Sequence, residues 1–263
     1  MSKFNPLFYS EFRPFYPSET FVELRAELLK RGFSEPFEIA DFGCGTGHSA
    51  ASLLKAPVRA EIIGIDPDSA MLVEAQKLST QLGLETVQFQ VGSGEETNLP
   101  NGRFDAVVMG SSFHWMNPEK TSNEVLRVLK SKGLLWIFEY QFPKAPALPD
   151  LNEWIRRQFN LYWRAPGQKP RGSLKEITHL FHEDPSFEFI SDRRPPMEQT
   201  LSVDDLAGMI FSQSRVLCYE EPLTPDEKCR FRQETRKELQ ARMPSESARF
   251  QFNLHALGWA KRA

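Results

Sequence analysis

The sequence predicts a doubly wound α/β fold: a mostly parallel sheet with helices on both faces. Three observations predict it. Short apolar runs alternate with helix-length runs, the rhythm of strand–helix–strand units. The run Ala60-Glu-Ile-Ile-Gly-Ile-Asp66 is apolar almost throughout, as a strand covered on both faces must be. The first such run breaks into Gly43, Gly45 and Gly47 just ahead of a helix start, and sheets of this class bind ligands at the carboxyl ends of their strands.

Taken in order, the elements carry their own signals. Ser18 is placed to cap a helix running to about Lys30, with Phe21, Leu24, Leu28 and Leu29 on one face and Gly32 as its stop. Strand Phe37–Asp41 leads into the glycine bend, and the helix beyond it runs to Lys55, before Pro57. The apolar strand 60–66 ends on Asp66, and a helix starts near Pro67. Val87–Val91, Phe104–Met109 and Gly133–Tyr140 are the next strands, with helix Pro118–Lys130, capped by Asn117, before the last. Gln141–Ser186 then breaks the rhythm with Pro143, Pro146 and Pro149 and the aromatics Trp154, Phe159, Tyr162 and Trp163. It is expected to form a helical cap inserted after strand five.

Bulk properties narrow the function classes. At 263 residues the chain can bury one substantial core with an insertion or a small second lobe. A net charge of −3 provides no global field for nucleic acid or an anionic membrane. The basic run from Lys228 to Arg242 is interleaved with Glu234 and Glu238, the pattern of a solvated helix face. Cys44, Cys218 and Cys229 lack metal-type spacing, which points to a reducing compartment. The first residues lack a signal-peptide core and no apolar run approaches membrane length. A cytoplasmic protein with neither nucleic-acid nor membrane partner is expected.

The glycine bend carries the ligand chemistry. A dinucleotide loop is spaced G-x-G-x-x-G and sets a pyrophosphate on a helix N-terminus. Here the spacing is G-x-G-x-G, and Asp41 stands two residues before the first glycine. A carboxylate there repels a pyrophosphate and favours a cation. The stretch Asp41-x-Gly43-Cys44-Gly45-x-Gly47 resembles the first motif of class I S-adenosylmethionine-dependent methyltransferases, whose cofactor carries an ammonium and a sulfonium and no phosphate. The resemblance implies a Rossmann-like methyltransferase fold with a seven-stranded sheet. Phe187–Gln199 and Ala248–Trp259 would be strands six and seven, the latter antiparallel, and Ser202–Gln213 and Thr224–Arg242 would be helices. It implies cofactor contacts at Asp66, on the ribose hydroxyls, and at Pro67 or Met71, on the adenine. It adds the loop Ser93-Gly94-Glu95, where Ser93 replaces the family's usual aspartate, and Ser111. Asp66 has a second reading, as the N-cap of the following helix.

The opening Tyr9-Ser-Glu-Phe-Arg-Pro-Phe-Tyr-Pro17 is similar to the Tyr-x-x-Tyr-Arg-Pro-x-Tyr-Pro start of one methyltransferase subfamily, with Phe12 as the departure. This implies Tyr16 at the cofactor and Tyr9 and Arg13 at the substrate. An arm packed on the domain surface is the alternative. Gly110-Ser-Ser-Phe-His-Trp115 follows strand four where this fold faces the methyl group. It lacks the Asn/Asp-Pro-Pro-Tyr/Phe of nucleobase N-methylating enzymes and resembles small-molecule methyltransferases, the trans-aconitate methyltransferases among them. His114 is then a candidate base or orienting group, or a structural cap of the strand end. Trp115 and Tyr140 are candidate substrate contacts. An acceptor at oxygen, with a carboxylate among the candidates, is the expectation, and Arg156, Arg157 and Arg164 could hold an acid. No metal is expected, although His179 and His182 share a spacing that could place both on one helix face. The expected division is 1–35 as arm and first helix, 36–140 as cofactor core, 141–186 as cap, and 187–263 as the tail completing the sheet. Other readings are a cofactor-binding protein without turnover, a nicotinamide-dependent enzyme, and an RNA or protein methyltransferase.

Overall fold

A computed structural model describes residues 5–162 and 173–263. Trp163 and Arg164, named above in the expected cap, lie outside the described residues. In chain order the strands are β1 (Phe37–Phe42), β2 (Ala60–Asp66), β3 (Val87–Val91), β4 (Phe104–Gly110), β5 (Leu129–Tyr140), β6 (Phe187–Arg193), β7 (Glu198–Ser202), β8 (Ser247–Gln251) and β9 (Leu254–Lys261). Seven of them form the main sheet in the order β3-β2-β1-β4-β5-β9-β6. Its neighbours run parallel, except that β9 runs against both β5 and β6. The chain winds outward from β1 through β2 to β3, then returns to β4 on the other side of β1. The switch point is therefore at the carboxyl ends of β1 and β4, where this architecture opens a crevice.

The helices are α1 (Pro6–Phe12), α2 (Glu19–Lys30), α3 (His48–Lys55), α4 (Ser69–Leu82), α5 (Pro118–Val128), α6 (Pro149–Tyr162), α7 (Leu174–Ile177), α8 (His179–Glu183), α9 (Val203–Phe211), α10 (Ser214–Glu220) and α11 (Pro225–Arg242). One face of the sheet buries Val107, Met109, Leu135, Ile137, Leu257 and Trp259 with Val125, Val128 and Phe181 of α5 and α8. On β5 the alternate residue Trp136 is also fully buried, and its Nε1 donates to the Thr20 carbonyl of α2 at 3.0 Å. Period-two alternation thus serves two buried faces here, which is why the strands read as continuous apolar runs.

The described residues group into two compact units. The larger holds the sheet and takes the chain from Pro14–Gln141, Gly172–Pro196 and Asn253–Ala263. The smaller takes described residues from Met1–Arg13, Phe142–Arg171 and Met197–Phe252. It is built of α1, α6, α9, α10 and α11 with the two-stranded antiparallel sheet β7–β8. Within it, Tyr162 is buried against the rings of Tyr219 and Phe231, with centroids at 5.1 Å and 5.9 Å. The buried carboxylate of Glu220 is held by both Nε and Nη2 of Arg232 at 2.7 Å.

Several expectations need correction. The helical unit is assembled from three stretches and not from 141–186 alone, and α7 and α8 of that span pack with the sheet. The tail does not complete the sheet as one block, because α9, α10 and α11 belong to the helical unit. Strand six stops at Arg193 rather than Gln199, since Pro195 and Pro196 have no N–H for a ladder. The run Ala248–Trp259 is two strands, for β8 pairs with β7 while β9 enters the main sheet. Between them the Phe252 N–H bonds the Met197 carbonyl at 2.8 Å, leaving the ladder. Ser18 precedes α2 but makes no side-chain cap. Helix α5 ends at Val128, and Lys130 already lies in β5.

Candidate cofactor and acceptor site

The three glycines of the bend turn out to serve different ends. All have positive φ: +68° at Gly43, +54° at Gly45 and +83° at Gly47. A Cβ on Gly43 would lie 2.5 Å from Ser112 Cβ, and one on Gly47 would lie 3.2 Å from Ala75 Cβ and 3.3 Å from the Phe89 ring. Those two are small because the protein packs against them. A Cβ on Gly45 would meet nothing within 4 Å. Only Gly45 presents backbone to open space, so close approach by a ligand explains one glycine and not three.

The N–H groups of the bend are occupied from within. Gly43 N and Cys44 N donate to the Ile65 carbonyl at 2.8 Å and 3.0 Å, and Gly45 N donates to Asp66 Oδ2 at 2.9 Å. Gly47 N donates to the Cys44 carbonyl at 2.9 Å. A phosphate cradle needs such donors aimed outward. Two acids beside inward-bonded N–H groups suit a ligand that is cationic and has hydroxyls to donate.

Asp41 and Asp66 stand at adjacent strand ends and play different parts. Asp41 is fully buried, its Oδ2 accepts from the Ser49 hydroxyl, and its Oδ1 has no hydrogen-bond partner among the described residues. Burial pushes its pKa up to about 7 against the Ser49 hydrogen bond, and the neighbouring Asp66 charge pushes the same way. Asp41 is thus fully covered and offers no surface contact at the bend. Asp66 is partly exposed, and Oδ1 and Oδ2 accept from Asp68 N and Gly45 N at 2.9 Å each. Each carboxylate oxygen keeps a further lone pair for a hydroxyl donor. Burial raises this acid's pKa too. The cap of α4 is Asp68, which accepts from Ala70 N at 3.0 Å, so Asp66 is not the cap. Pro67 is exposed next to it, and Met71 is buried on α4. Cys44 is buried, and burial pushes its thiol pKa well up, so it is no nucleophile.

The loop after β3 is tied down by its own residues. Ser93 Oγ accepts from Glu96 N at 3.2 Å, and Glu95 Oε1 accepts from Asn117 N at 2.8 Å, which joins this loop to the start of α5. A Cβ on Gly94 would lie 2.5 Å from the sulfur of Met116. Met116 also lies against Gly43, and Ser112 Oγ donates to the Phe42 carbonyl at 2.6 Å. Sequence reasoning missed Ser49, Ser112 and Met116. Ser49 stands in the first turn of α3, eight residues beyond Asp41, while Ser112 and Met116 reach the bend only through the chain's return to the side of β1.

At the end of β4, Ser111 has φ +52°, a left-handed conformation that a residue with a Cβ adopts at a cost. Its Oγ accepts from the Tyr16 hydroxyl at 2.9 Å. Tyr16 is buried, its N–H donates to Ser52 Oγ at 2.9 Å, and its ring stands edge-on to Phe138 with centroids at 4.6 Å. Tyr140 is 5.5 Å away, ring to ring. The structure therefore unites Tyr16, Ser111 and Tyr140 at the ends of β4 and β5. The turn Phe113–Trp115 buries Phe113, half-buries His114 and leaves Trp115 49% exposed.

Tyr9 and Arg13 belong to the helical unit, where the Arg13 guanidinium stands 4.6 Å over the Tyr9 ring and donates to the Ser212 carbonyl at 3.1 Å. Arg156 and Arg157 both pair with Glu153 on the exposed face of α6, at 2.7 Å and 2.8 Å. His179 lies 3.4 Å from Glu183, while His182 packs on the rings of Phe189 and Trp259.

Residues 40–137 match the family described as Methyltransferase domain. The chain is 28% identical over 202 residues to the probable S-adenosylmethionine-dependent methyltransferase CRG1 of Saccharomyces cerevisiae, covering 75% of this chain and 66% of that one. It is 29% identical over 144 residues to the uncharacterized methyltransferase YcgJ of Bacillus subtilis, covering 54% of each. The chain thus spans a little under two thirds of the first relative and about half of the second. A solved candidate type II methyltransferase from Anaeromyxobacter dehalogenans shares the fold at TM-score 0.69 and 19% identity, over 95% of this chain and 98% of that one. The switch point, with its open glycine flanked by two acids, lies inside the stretch of this chain that matches the methyltransferase domain family.

Proposed function

We propose that the protein transfers the methyl group of S-adenosylmethionine to a small-molecule acceptor at oxygen. The observation that carries this is the combination at the switch point of one glycine open to a ligand, bend N–H groups turned inward, and acids on β1 and β2. When bound, the cofactor supplies an electrophilic methyl on a positively charged sulfur. The residues that would hold it are Gly45 by close backbone approach, Asp66 by accepting hydroxyl hydrogens, Asp41 by its field, and Ser93–Glu95 with Met116 as a wall. The protein's share of a displacement of this kind is alignment, which supplies on the order of 7–11 kcal/mol.

Tyr16, held between Ser111 and Ser52, offers a fixed ring face to a sulfonium. Phe-His-Trp after β4, in place of an amine-gripping Asn/Asp-Pro-Pro-Tyr/Phe, supports oxygen over a nucleobase amine. On this reading His114 takes the acceptor's proton or orients it, and a carboxylic acid, as for the trans-aconitate methyltransferases that the sequence resembles, is a fitting acceptor. The net charge of −3 supports a small molecule over RNA.

Calorimetry with S-adenosylhomocysteine tests the site, and donor consumption across small acids, phenols and amines tests the chemistry. Binding lost in Asp66→Ala together with turnover on an acid or phenol is expected. Binding without turnover on any acceptor would favour the reading of a cofactor-binding protein. No binding to the wild type would end the proposal.

A further inference from the structure

Three dibasic segments, far apart in sequence, come together at the opposite pole of the sheet from the glycine bend. They are Lys30-Arg31 after α2, Lys130-Ser-Lys132 in β5, and Lys261-Arg262 at the end of β9. The pole assignment follows from topology: β9 is antiparallel, so its end lies with the beginnings of β5 and β6. A six-residue strand such as β1 separates the two poles by about 20 Å. A cleft of about 450 Å³ opens there, lined by Lys30, Arg31, Lys132, Glu188, Lys261 and Arg262 among others.

In each pair one cation is used by the fold and the other is left on the cleft side. Arg31 is held by Glu27 and lies 3.9 Å from Glu188. Lys130 pairs with Asp105 at 2.8 Å and Glu38 at 3.1 Å. Lys261 Nζ donates to the carbonyls of Leu126 and Leu129 at 2.7 Å and 2.9 Å. Of the other three, Lys30 has among the described residues a 3.3 Å contact with Glu27 as its one ion pair, and its side chain is 72% exposed. Arg262 spends Nε on the Phe187 carbonyl at 3.3 Å and keeps its terminal nitrogens. Lys132 makes no ion pair among the described residues.

Lys132 also sits where a lysine is costly. Its φ is +64°, the conformation that glycine adopts freely. The chain has a glycine next door at 133, yet keeps a lysine in the left-handed position. Against a net charge of −3 for the chain, the side chains lining this cleft sum to a marked positive excess. Exposed cations that repel one another across a cleft are stabilised by a shared counter-charge.

We propose that Lys30, Lys132 and Arg262 form a binding site for a compact polyphosphate anion, separate from the cofactor site. The ligand class is a di- or triphosphate, free or carried by a nucleotide. Guanidinium and ammonium groups converging from three segments match its several charged oxygens. The cleft shares no residue with the switch point, so the site stands whether or not the methyl-transfer reading holds.

Calorimetry and phosphorus NMR with tripolyphosphate, at low ionic strength, test this on the full chain. A dissociation constant below about 1 mM is expected. Lys132→Gly should weaken binding roughly fivefold to tenfold, the scale of one lost charge contact. That variant suits the backbone at φ +64°, so its melting temperature should hold or rise, which separates lost binding from lost folding. Pyrophosphate and ADP run alongside tell the two sources apart: equal affinities mean that phosphates alone are read, and tighter ADP means a nucleotide. Absence of binding up to about 10 mM, or equal weakening by Lys120→Ala at an exposed position of α5, would overturn the proposal. So would a single-stranded RNA bound more than about tenfold tighter than tripolyphosphate, which would make the surface a macromolecular one.

Discussion

Asp41 is a carboxyl group that the fold holds against its charge. Burial raises its pKa from 3.8 to about 7, so the folded chain binds this proton more tightly than the unfolded chain does. Stability from this group is therefore greatest at low pH and declines as pH rises between those two values. Asp41→Asn removes the penalty, so its melting temperature should exceed that of the wild type at about pH 8, and the gap should close by about pH 4. S-adenosylmethionine carries a net positive charge that stabilises the ionised form, so its binding just below neutral pH should release a proton. Calorimetry in buffers of different ionisation enthalpy measures that directly. The glycines separate by the same kind of argument. Gly43→Ala strikes Ser112 and should lower stability clearly, whereas Gly45→Ala should lose about 1 kcal/mol or so of stability from backbone strain and far more in ligand affinity. Spacing alone could not have told these glycines apart, because what each one faces comes from Ser112, Ala75 and Phe89 on other elements.

At the scale of elements, attachment decides what a segment is for. The N-terminal aromatic stretch reads as one arm in the sequence, yet its two halves belong to different units, with the division at Arg13 and Pro14. Phe12 of α1 lies so close over Gly208 of α9 that no Cβ fits there. Gly208→Ala should therefore detach α1 within the helical unit, raising hydrogen exchange over residues 6–12 while the sheet keeps its protection. Tyr16, on the other side of the division, is held by Ser111. Tyr16→Phe should cost about 1 kcal/mol in stability through the lost hydroxyl bond, and should weaken S-adenosylhomocysteine binding more than it lowers the melting temperature. The strained Ser111 is invisible in the sequence, since a φ value depends on where β4 delivers the chain.

For the whole molecule, the antiparallel β9 is what closes the sheet between β5 and β6, and Trp259 is its anchor. Trp259 is fully buried among Phe181, His182 and Phe189. Trp259→Ala should cost about 3–5 kcal/mol, a large part of a typical domain's stability. Its indole N–H has no partner among the described residues, so Trp259→Phe should cost much less. Denaturant midpoints for the two variants give the comparison.

The sequence by itself determined the strand–helix alternation, the parallel core from β1 to β5, and the glycine bend with its acids. Each of these rests on periodicity or on residues adjacent in the chain, and local physical chemistry acts over that range. Only the tertiary structure decided that Gly45 alone is open, that Asp41 is buried and half satisfied, and that the helical unit draws on three stretches. It alone brought three dibasic segments to one cleft. Those properties are set by which distant side chains come to lie against a residue, and that depends on the order in which the strands are laid side by side.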